Sequence, residues 1–301
     1  MTKKLKAELS LLFVAILWGS TFALTKNALE TLAPFNFLAI RFTIAFLMCV
    51  IIFYKKVILI DKSTLKYGSI LGIILFSSFV CQTYGIKLST PAKAGFITGF
   101  SVVIVPIIVA ILAKQLPDIK NIIGVFLALI GLTLLSLNSL SGVNIGDIIT
   151  LIGAFGFAMQ IIVVGKYTHK VDSINLAIIQ IGIVSILSII STFVLETPTI
   201  PTGSSTWVAI LVTSLLATCV SFVIQTTMQQ YTSPSTTALI YTGEPVFGAI
   251  FAYLLAGEIL TSTSILGCIA ILLGMVISEV NFKSIFNKPN FNCLDLNNEL
   301  E

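Results

Sequence analysis

The sequence predicts an all-α integral membrane protein whose ten transmembrane helices form two inverted five-helix repeats. Three observations support this fold: the composition, a series of long apolar stretches, and an internal repeat. Of the 301 residues, 56% are hydrophobic and 10% are charged, and the mean hydropathy is +1.05. Because a soluble domain carries about 25% charged residues, this composition indicates a chain that resides in lipid.

The apolar stretches are each long enough to cross a bilayer, which takes about 20 mostly apolar residues. We number them as spans 1 to 10: 9–25, 35–54, 68–86, 94–113, 121–138, 146–165, 174–195, 207–228, 236–256 and 263–282. The basic-then-apolar N-terminus lacks a small-residue cleavage site, so we expect span 1 to be retained as a signal anchor. Residues 283–301 are polar and rich in Asn, and we expect a disordered tail there.

The lysines predict the orientation in the membrane. If the N-terminus is cytoplasmic, thirteen lysines fall on the inner side and three, Lys26, Lys87 and Lys93, on the outer side. Loops rich in Lys and Arg stay in the cytoplasm, so we place both termini there. The net charge of +4 then reflects membrane orientation and not a nucleic-acid partner. The preference for Lys over Arg favours a bacterial source, and the predicted location is the plasma (inner) membrane.

The internal repeat has an offset of 143 residues. Residues 88–138 align with 231–281 without a gap, with identical pairs that include Pro91/Pro234, Gly124/Gly267 and Gly131/Gly274. Spans 3–5 therefore match spans 8–10, and an odd number of spans per half inverts one half relative to the other. Inverted repeats are typical of secondary transporters, whose substrate site lies between the halves. We predict repeats at 1–140 and 141–282.

Small residues in the repeats predict helix contacts. Gly124 and Gly131 share a face of span 5, and their aligned partners share a face of span 10. Small residues let helices approach closely in lipid, so we expect these two spans to hold the halves together. In span 9, the stripe of Gly248, Ala252 and Ala256 is interpreted in the same way.

Enzyme signatures are weak. The sequence has no P-loop motif, and its single histidine, His169, lies in a basic loop without neighbouring carboxylates or cysteines. The five cysteines form no CxxC pair that would indicate a zinc site or a disulfide framework. We therefore expect neither an enzyme nor a cofactor or metal.

Glu244 is the residue most suggestive of function. It lies about nine residues, or roughly 13 Å, into span 9, which places a carboxylate near the bilayer centre. Pro245 cannot donate to the carbonyl of Tyr241, and together with Gly243 it predicts a helix break beside a cavity. Two interpretations remain open: Glu244 binds a proton or a cationic substrate group, or it only stabilises span 9. Its aligned residue is Ser101, so the carboxylate occurs in one half.

Other polar residues within the spans also need partners. Arg41, about six residues into span 2, could attract an anionic group or pair with a carboxylate, but we favour an interfacial anchor or a structural pair. Glutamines within spans could line a polar path or bond a neighbouring helix, and bonding is favoured for each taken singly. They are Gln82, Gln160, Gln180 and Gln225.

Four motifs, in their order and spacing, resemble the EamA-type transporters of the drug/metabolite transporter superfamily. They are WGSTF at 18–22, IRFTIAFLM around Arg41, KAGFITGFSVVIVP at 93–106 and EPVFGAIFAYLLAGE at 244–258. The resemblance covers roughly residues 8–282. It implies ten helices, a cavity lined by spans 1, 3, 4, 6, 8 and 9, and export of small metabolites or drugs, with amino acids and toxic cations as typical cargo.

The resemblance also assigns residues to the cavity. It places seven side chains on cavity helices: Trp18, Gln82, Ser101, Gln160, Gln225, Tyr241 and Glu244. It places Arg41 on a helix outside the cavity. This chain departs from many members in its first half, which has Lys114-Gln115 where the second half has Gly257-Glu258. We interpret Glu258 as an end group near the outer face.

These observations together predict a secondary transporter, and more specifically an exporter of a small organic metabolite or drug such as an amino acid or organic cation. It would work as a monomer in the lipid bilayer by alternating access, with protons as a coupling partner through Glu244. One mid-membrane carboxylate favours a cation or zwitterion, and the lack of paired basic residues in the spans argues against phosphate-bearing substrates. The alternative is a membrane sensor or scaffold subunit that binds a small ligand in the cavity without transport.

Overall fold

The computed structural model describes residues 2–136, 144–256 and 261–279. Within these ranges every regular element is helical. The α-helices are α1 Lys3–Gly19, α2 Thr21–Ala28, α3 Pro34–Ile52, α4 Tyr54–Val57, α5 Lys62–Leu88, α6 Pro91–Gly99, α7 Ser101–Ala113, α8 Ile119–Ser136, α9 Ile145–Tyr167, α10 Ser173–Leu195, α11 Ser204–Leu211, α12 Ser221–Met228, α13 Pro234–Tyr241, α14 Gly243–Ala256 and α15 Ser262–Glu279. A π-helical segment, Val212–Val220, joins α11 to α12, and a 3₁₀ turn, Gln229–Tyr231, follows α12.

The helices have the length and surface of a multi-pass membrane protein. In the described ranges, seven helical stretches can cross a bilayer by length and composition: Lys3–Ala28, Pro34–Ile52, Lys62–Leu88, Pro91–Ala113, Ile145–Tyr167, Ser173–Leu195 and Ser204–Tyr231. Ile119–Leu135 and Ser262–Ser278 are shorter apolar helices. Large apolar side chains such as Ile111, Phe126 and Phe193 point outward, as lipid-facing side chains do. The count of ten membrane helices and the inverted relation of the halves remain predictions.

The predicted break in span 9 lies one residue earlier than expected. Thr242, and not the Gly243–Pro245 turn, separates α13 from α14. Pro245 is the third residue of α14, where a backbone N–H would have no acceptor within the helix. The proline therefore starts the second helix rather than distorting the first.

Spans 1 and 4 are also interrupted, and the sequence did not predict these two breaks. Ser20 separates α1 from α2, and Phe100 separates α6 from α7. Side-chain hydroxyls satisfy backbone carbonyls at two of the three breaks: Ser20 Oγ donates to the Leu17 carbonyl at 2.8 Å, and Thr242 Oγ1 donates to the Leu239 carbonyl at 2.5 Å. Such bonds make irregular backbone tolerable at membrane depth.

The first turn of α3 is held by a carboxylate from the segment after α10. Glu196 accepts hydrogen bonds from the backbone N–H groups of Phe35, at 3.1 Å, and Asn36, at 2.9 Å. A negative charge at a helix N-terminus also interacts favourably with the helix dipole. These contacts position α3, which carries Arg41.

The expected contact between the glycine faces of spans 5 and 10 is confirmed. A Cβ at Gly131 would lie 2.5 Å from the Gly267 carbonyl oxygen, and a Cβ at Gly124 would lie 2.8 Å from the Gly274 carbonyl oxygen. α8 and α15 therefore touch backbone to backbone. The first glycine of each helix contacts the second glycine of the other. A two-fold axis between the two helices would produce this pattern.

Some predictions fall outside the described part of the chain. These concern the side chains of Ala252 and Ala256, the pair Gly257-Glu258, and the tail 283–301. Gly248, the first member of the predicted stripe, lies against α1: a Cβ there would be 3.3 Å from the Gly19 carbonyl oxygen.

We expect Gly131→Ala to lower the midpoint of thermal unfolding in detergent, because the new methyl group would meet the rigid backbone of α15. Overpacking costs about 1–3 kcal/mol, which exceeds the gain of about 1 kcal/mol from replacing a helical glycine with alanine. Gly95→Ala is the matched control, since its nearest neighbour is a Phe22 ring atom at 3.5 Å. Equal midpoints for the two variants would contradict the close contact.

Candidate functional site

A cavity lies where the interrupted helices meet, with about 580 Å³ of space free of atoms when its open mouth is included. It is lined by Trp18, Thr21, Arg41, Phe79, Gln82, Thr98, Gly99, Ser101, Phe157, Gln160, Ile161, Phe222, Gln225, Tyr241 and Glu244. These residues come from α3 and from the six predicted spans that the family resemblance assigns to the cavity. All seven predicted site residues are among them, and their role in binding remains a prediction.

The three helix interruptions all contribute to this cavity. Each interruption is flanked by two lining residues: Trp18 and Thr21 around Ser20, Gly99 and Ser101 around Phe100, and Tyr241 and Glu244 around Thr242. Non-helical backbone at membrane depth is stable only inside protein or beside a polar cavity. The breaks therefore determine where polar side chains can converge.

Arg41 also lines the cavity, which corrects the expectation that it lies outside as an interfacial anchor. Its side chain is 4% exposed, and Nε donates to Thr218 Oγ1 at 2.9 Å. Thr218 lies in the π-helical segment, where its own hydroxyl donates to the Thr213 carbonyl at 2.8 Å, five residues back. The guanidinium carbon lies 4.9 Å from the ring centre of Phe79, a cation–π distance. The position of Arg41 near the start of span 2 gave no sign of these partners.

The acidic and the basic side chain of the cavity form no direct ion pair in the described structure. Glu244 and Arg41 both line the cavity, yet among the described residues no salt bridge joins them. In the same part of the chain the Glu244 carboxylate receives no hydrogen bond, whereas Arg41 is held through Nε. Arg41 is therefore held in place by a hydrogen bond, and within the described ranges the Glu244 side chain is not.

An aromatic wall stands beside these charges. The Trp18 ring lies 5.5 Å from Phe222 and 4.9 Å from Tyr241, measured between ring centres. Its Nε1 donates to the Ala217 carbonyl in the π-helical segment at 2.8 Å, which fixes the plane of the indole. An aromatic face of this kind attracts organic cations.

Glutamines bond across helices and line the cavity at the same time. Gln225 Nε2 donates to Gln160 Oε1 at 2.9 Å, and Gln82 Nε2 donates to Thr98 Oγ1 at 3.2 Å. Two buried atoms at the cavity, Gln225 Oε1 and Tyr241 Oη, have no hydrogen-bond partner within the described residues. Because buried polar atoms are almost always paired, these two are candidates for ligand contact.

Sequence reasoning missed several lining residues. Thr21 and Thr98 lie beside unpredicted helix breaks, and the motif WGSTF, which contains Thr21, was the available signal for one of them. Phe79, Phe157 and Phe222 could not be told from lipid-facing or core phenylalanines. Over residues 2–136, 144–256 and 261–279, no three His, Cys, Asp or Glu side chains gather as metal ligands would.

Comparison with known proteins identifies the family. A family model described as the EamA-like transporter family matches residues 5–137 and again 144–279. The chain belongs to this family. Its membership indicates a membrane transporter rather than an enzyme.

Similar proteins extend over most of the chain. An uncharacterized transporter of Archaeoglobus fulgidus is 36% identical over 276 residues, covering 91% of this chain and 86% of its own length. The uncharacterized transporter YvbV of Bacillus subtilis is 28% identical over 222 residues, covering 71% of this chain and 70% of its own. A solved crystal structure superposes with a TM-score of 0.76 over 91% of this chain and 96% of its own, at 19% identity, which shows a shared fold.

We expect Tyr241→Phe to leave the midpoint of thermal unfolding unchanged or to raise it slightly. The hydroxyl is buried and has no partner among the residues that the structure describes, so its removal costs none of the hydrogen bonds seen there. Trp18→Phe is the comparison variant, and it should lower the midpoint because the Ala217 carbonyl loses its donor. If Tyr241→Phe destabilises the unliganded protein as much as Trp18→Phe does, the hydroxyl is structural rather than available to a ligand.

Proposed function

We propose that this family member is a secondary transporter that exports a small organic metabolite or drug, such as an amino acid or organic cation, by alternating access. The observation that carries the proposal is a cavity lined by one carboxylate and one guanidinium, which form no direct ion pair within the described residues. Intramembrane charges are costly, and in transporters they mark substrate and proton pathways.

The lining supports a ligand that carries a positive group. The Glu244 carboxylate and the aromatic wall of Trp18, Phe222 and Tyr241 both attract cations. Within the described residues Arg41 donates one hydrogen bond, through Nε, so its guanidinium suits a carboxylate at the other end of a zwitterion. A zwitterion would therefore match both charges, while a simple organic cation would match Glu244 alone.

Alternating access is supported by the arrangement of the helices. The cavity draws lining residues from both sequence repeats, and its walls are interrupted helices of the kind that carry binding sites in secondary transporters. The α8–α15 glycine contact gives the repeats a closely packed junction. Outward transport, cytoplasmic termini and location in a bacterial inner membrane follow from the family resemblance and the distribution of lysines.

Glu244 is proposed as the coupling residue, which takes up either a proton or the cationic group of the substrate. We expect Glu244→Gln to lower flux in proteoliposomes by at least about tenfold, a loss of at least about 1.4 kcal/mol of interaction, and to abolish the response of flux to a pH gradient. The solute to use is the one that most stabilises the purified protein in a thermal-shift screen of amino acids, nucleosides and quaternary amines.

The control for this test is Glu30→Gln, which removes an exposed carboxylate outside the cavity and should leave flux unchanged. Undiminished, pH-responsive flux in Glu244→Gln would make Glu244 structural. Tight solute binding without any flux in the unmodified protein would favour a membrane sensor over a transporter.

A further inference from the structure

Four buried side chains form one hydrogen-bonded relay that ends at the cavity. Gln225 Nε2 donates to Gln160 Oε1 at 2.9 Å, Gln160 Nε2 donates to Gln180 Oε1 at 3.2 Å, and Gln180 Nε2 donates to Thr226 Oγ1 at 3.0 Å. The relay joins α9, α10 and α12, and none of its members is more than 2% exposed. Gln160 and Gln225 line the cavity, whereas Gln180 and Thr226 lie behind it.

The amide orientations in the relay leave one atom of Gln225 without a partner in the described residues. Each amide has one oxygen that only accepts and one NH₂ group that only donates. A Thr hydroxyl both donates and accepts, so the direction of the relay is set by the amides themselves. In the structure the NH₂ group of Gln180 faces Thr226, the oxygen of Gln180 faces Gln160, and the oxygen of Gln160 faces Gln225. The remaining group is Gln225 Oε1, a buried acceptor without a partner in the described residues.

We propose that Gln225 Oε1 accepts a hydrogen bond from an N–H group of the transported solute, so that the protein selects primary and secondary amines over quaternary ammonium compounds. Gln180 and Thr226 are positioning residues that hold this oxygen toward the ligand through Gln160. The inference rests on the proposed function, because it assigns the substrate class of the same cavity.

The other groups of the cavity fit this choice. The Glu244 carboxylate, which accepts hydrogen bonds and attracts positive charge, lines the same cavity as Gln225. A quaternary ammonium would still meet the carboxylate and the aromatic wall, but it has no N–H and would leave Gln225 Oε1 unpaired. Sites built to hydrogen-bond a ligand discriminate strongly against analogues that lack the donor, because the buried partner is left unpaired.

Ligand binding can be followed through Trp18. The chain has two tryptophans, and the other, Trp207, is 39% exposed and lies outside the cavity. In a Trp207→Phe background, fluorescence titrations would use leucine, tyramine and putrescine, each beside its fully N-methylated analogue. We expect at least one primary amine to bind at least about tenfold more tightly than its quaternary analogue.

The role of the relay is tested by Thr226→Val, which removes the terminal acceptor with little change of shape. Affinity for the primary amine should fall roughly five- to tenfold, while affinity for the quaternary analogue should change by less than about twofold. Thr227→Val is the matched control, because the bonds of Thr227 Oγ1 in the described part of the chain go to backbone carbonyls of its own helix, those of Val223 and Ile224. It should leave both affinities unchanged.

Three results would overturn the proposal. The first is no binding of any primary amine, and the second is binding of quaternary analogues as tightly as their parent amines. The third is a Thr226→Val variant that loses equal affinity for the primary amine and for its quaternary analogue. Flux measurements separate it from the proposed function. Selective binding of a primary amine without flux would refute transport but support the amine site. Flux of a quaternary compound at the rate of its parent amine would support transport but refute the selectivity for amines.

Discussion

In lipid, every backbone carbonyl needs a hydrogen-bond partner, and this constraint explains where the cavity of this transporter lies. Breaks at Ser20, Phe100 and Thr242 would be unstable if they faced the membrane. They instead turn toward one another, with hydroxyls of the chain covering carbonyls at two of them. The polar cavity is thus a consequence of the interrupted helices. The broken backbone needs a polar environment, and the charged side chains lie in that environment.

Close helix contact brings the separate breaks into one site. A Cβ at Gly19 would lie 2.7 Å from the Glu244 carbonyl oxygen, so only glycine lets α1 approach the first turn of α14 this closely. That approach places the break after Gly19 beside the break before Gly243, and side chains adjoining both then line one cavity. The glycine of WGSTF therefore has a packing role that determines the geometry of the site.

Much of this arrangement could be predicted from sequence, because its signals are local. Apolar length gives the helices, the pair Glu244-Pro245 gives the break within a residue, and spaced glycines give the α8–α15 contact. Arg41 was misplaced because its partner Thr218 is 177 residues away and lies in a π-helical segment that no local pattern announces. The breaks at Ser20 and Phe100 were missed because neither is followed by a proline, and the relay could not be seen because its hydrogen bonds join three separate helices.

The repeat and the cavity together show where the two halves differ. Ser101 and Glu244 are aligned in the repeat, each lies just after a helix break, and both line the cavity. The halves therefore present similar backbone geometry with different chemistry, a hydroxyl on one side and a carboxylate on the other. Since Arg41 is bonded to Thr218 while Glu244 has no hydrogen bond within the described residues, the cation provides a fixed field. The proposed coupling role of Glu244 therefore rests on a difference between the halves that resides in side chains rather than in the fold.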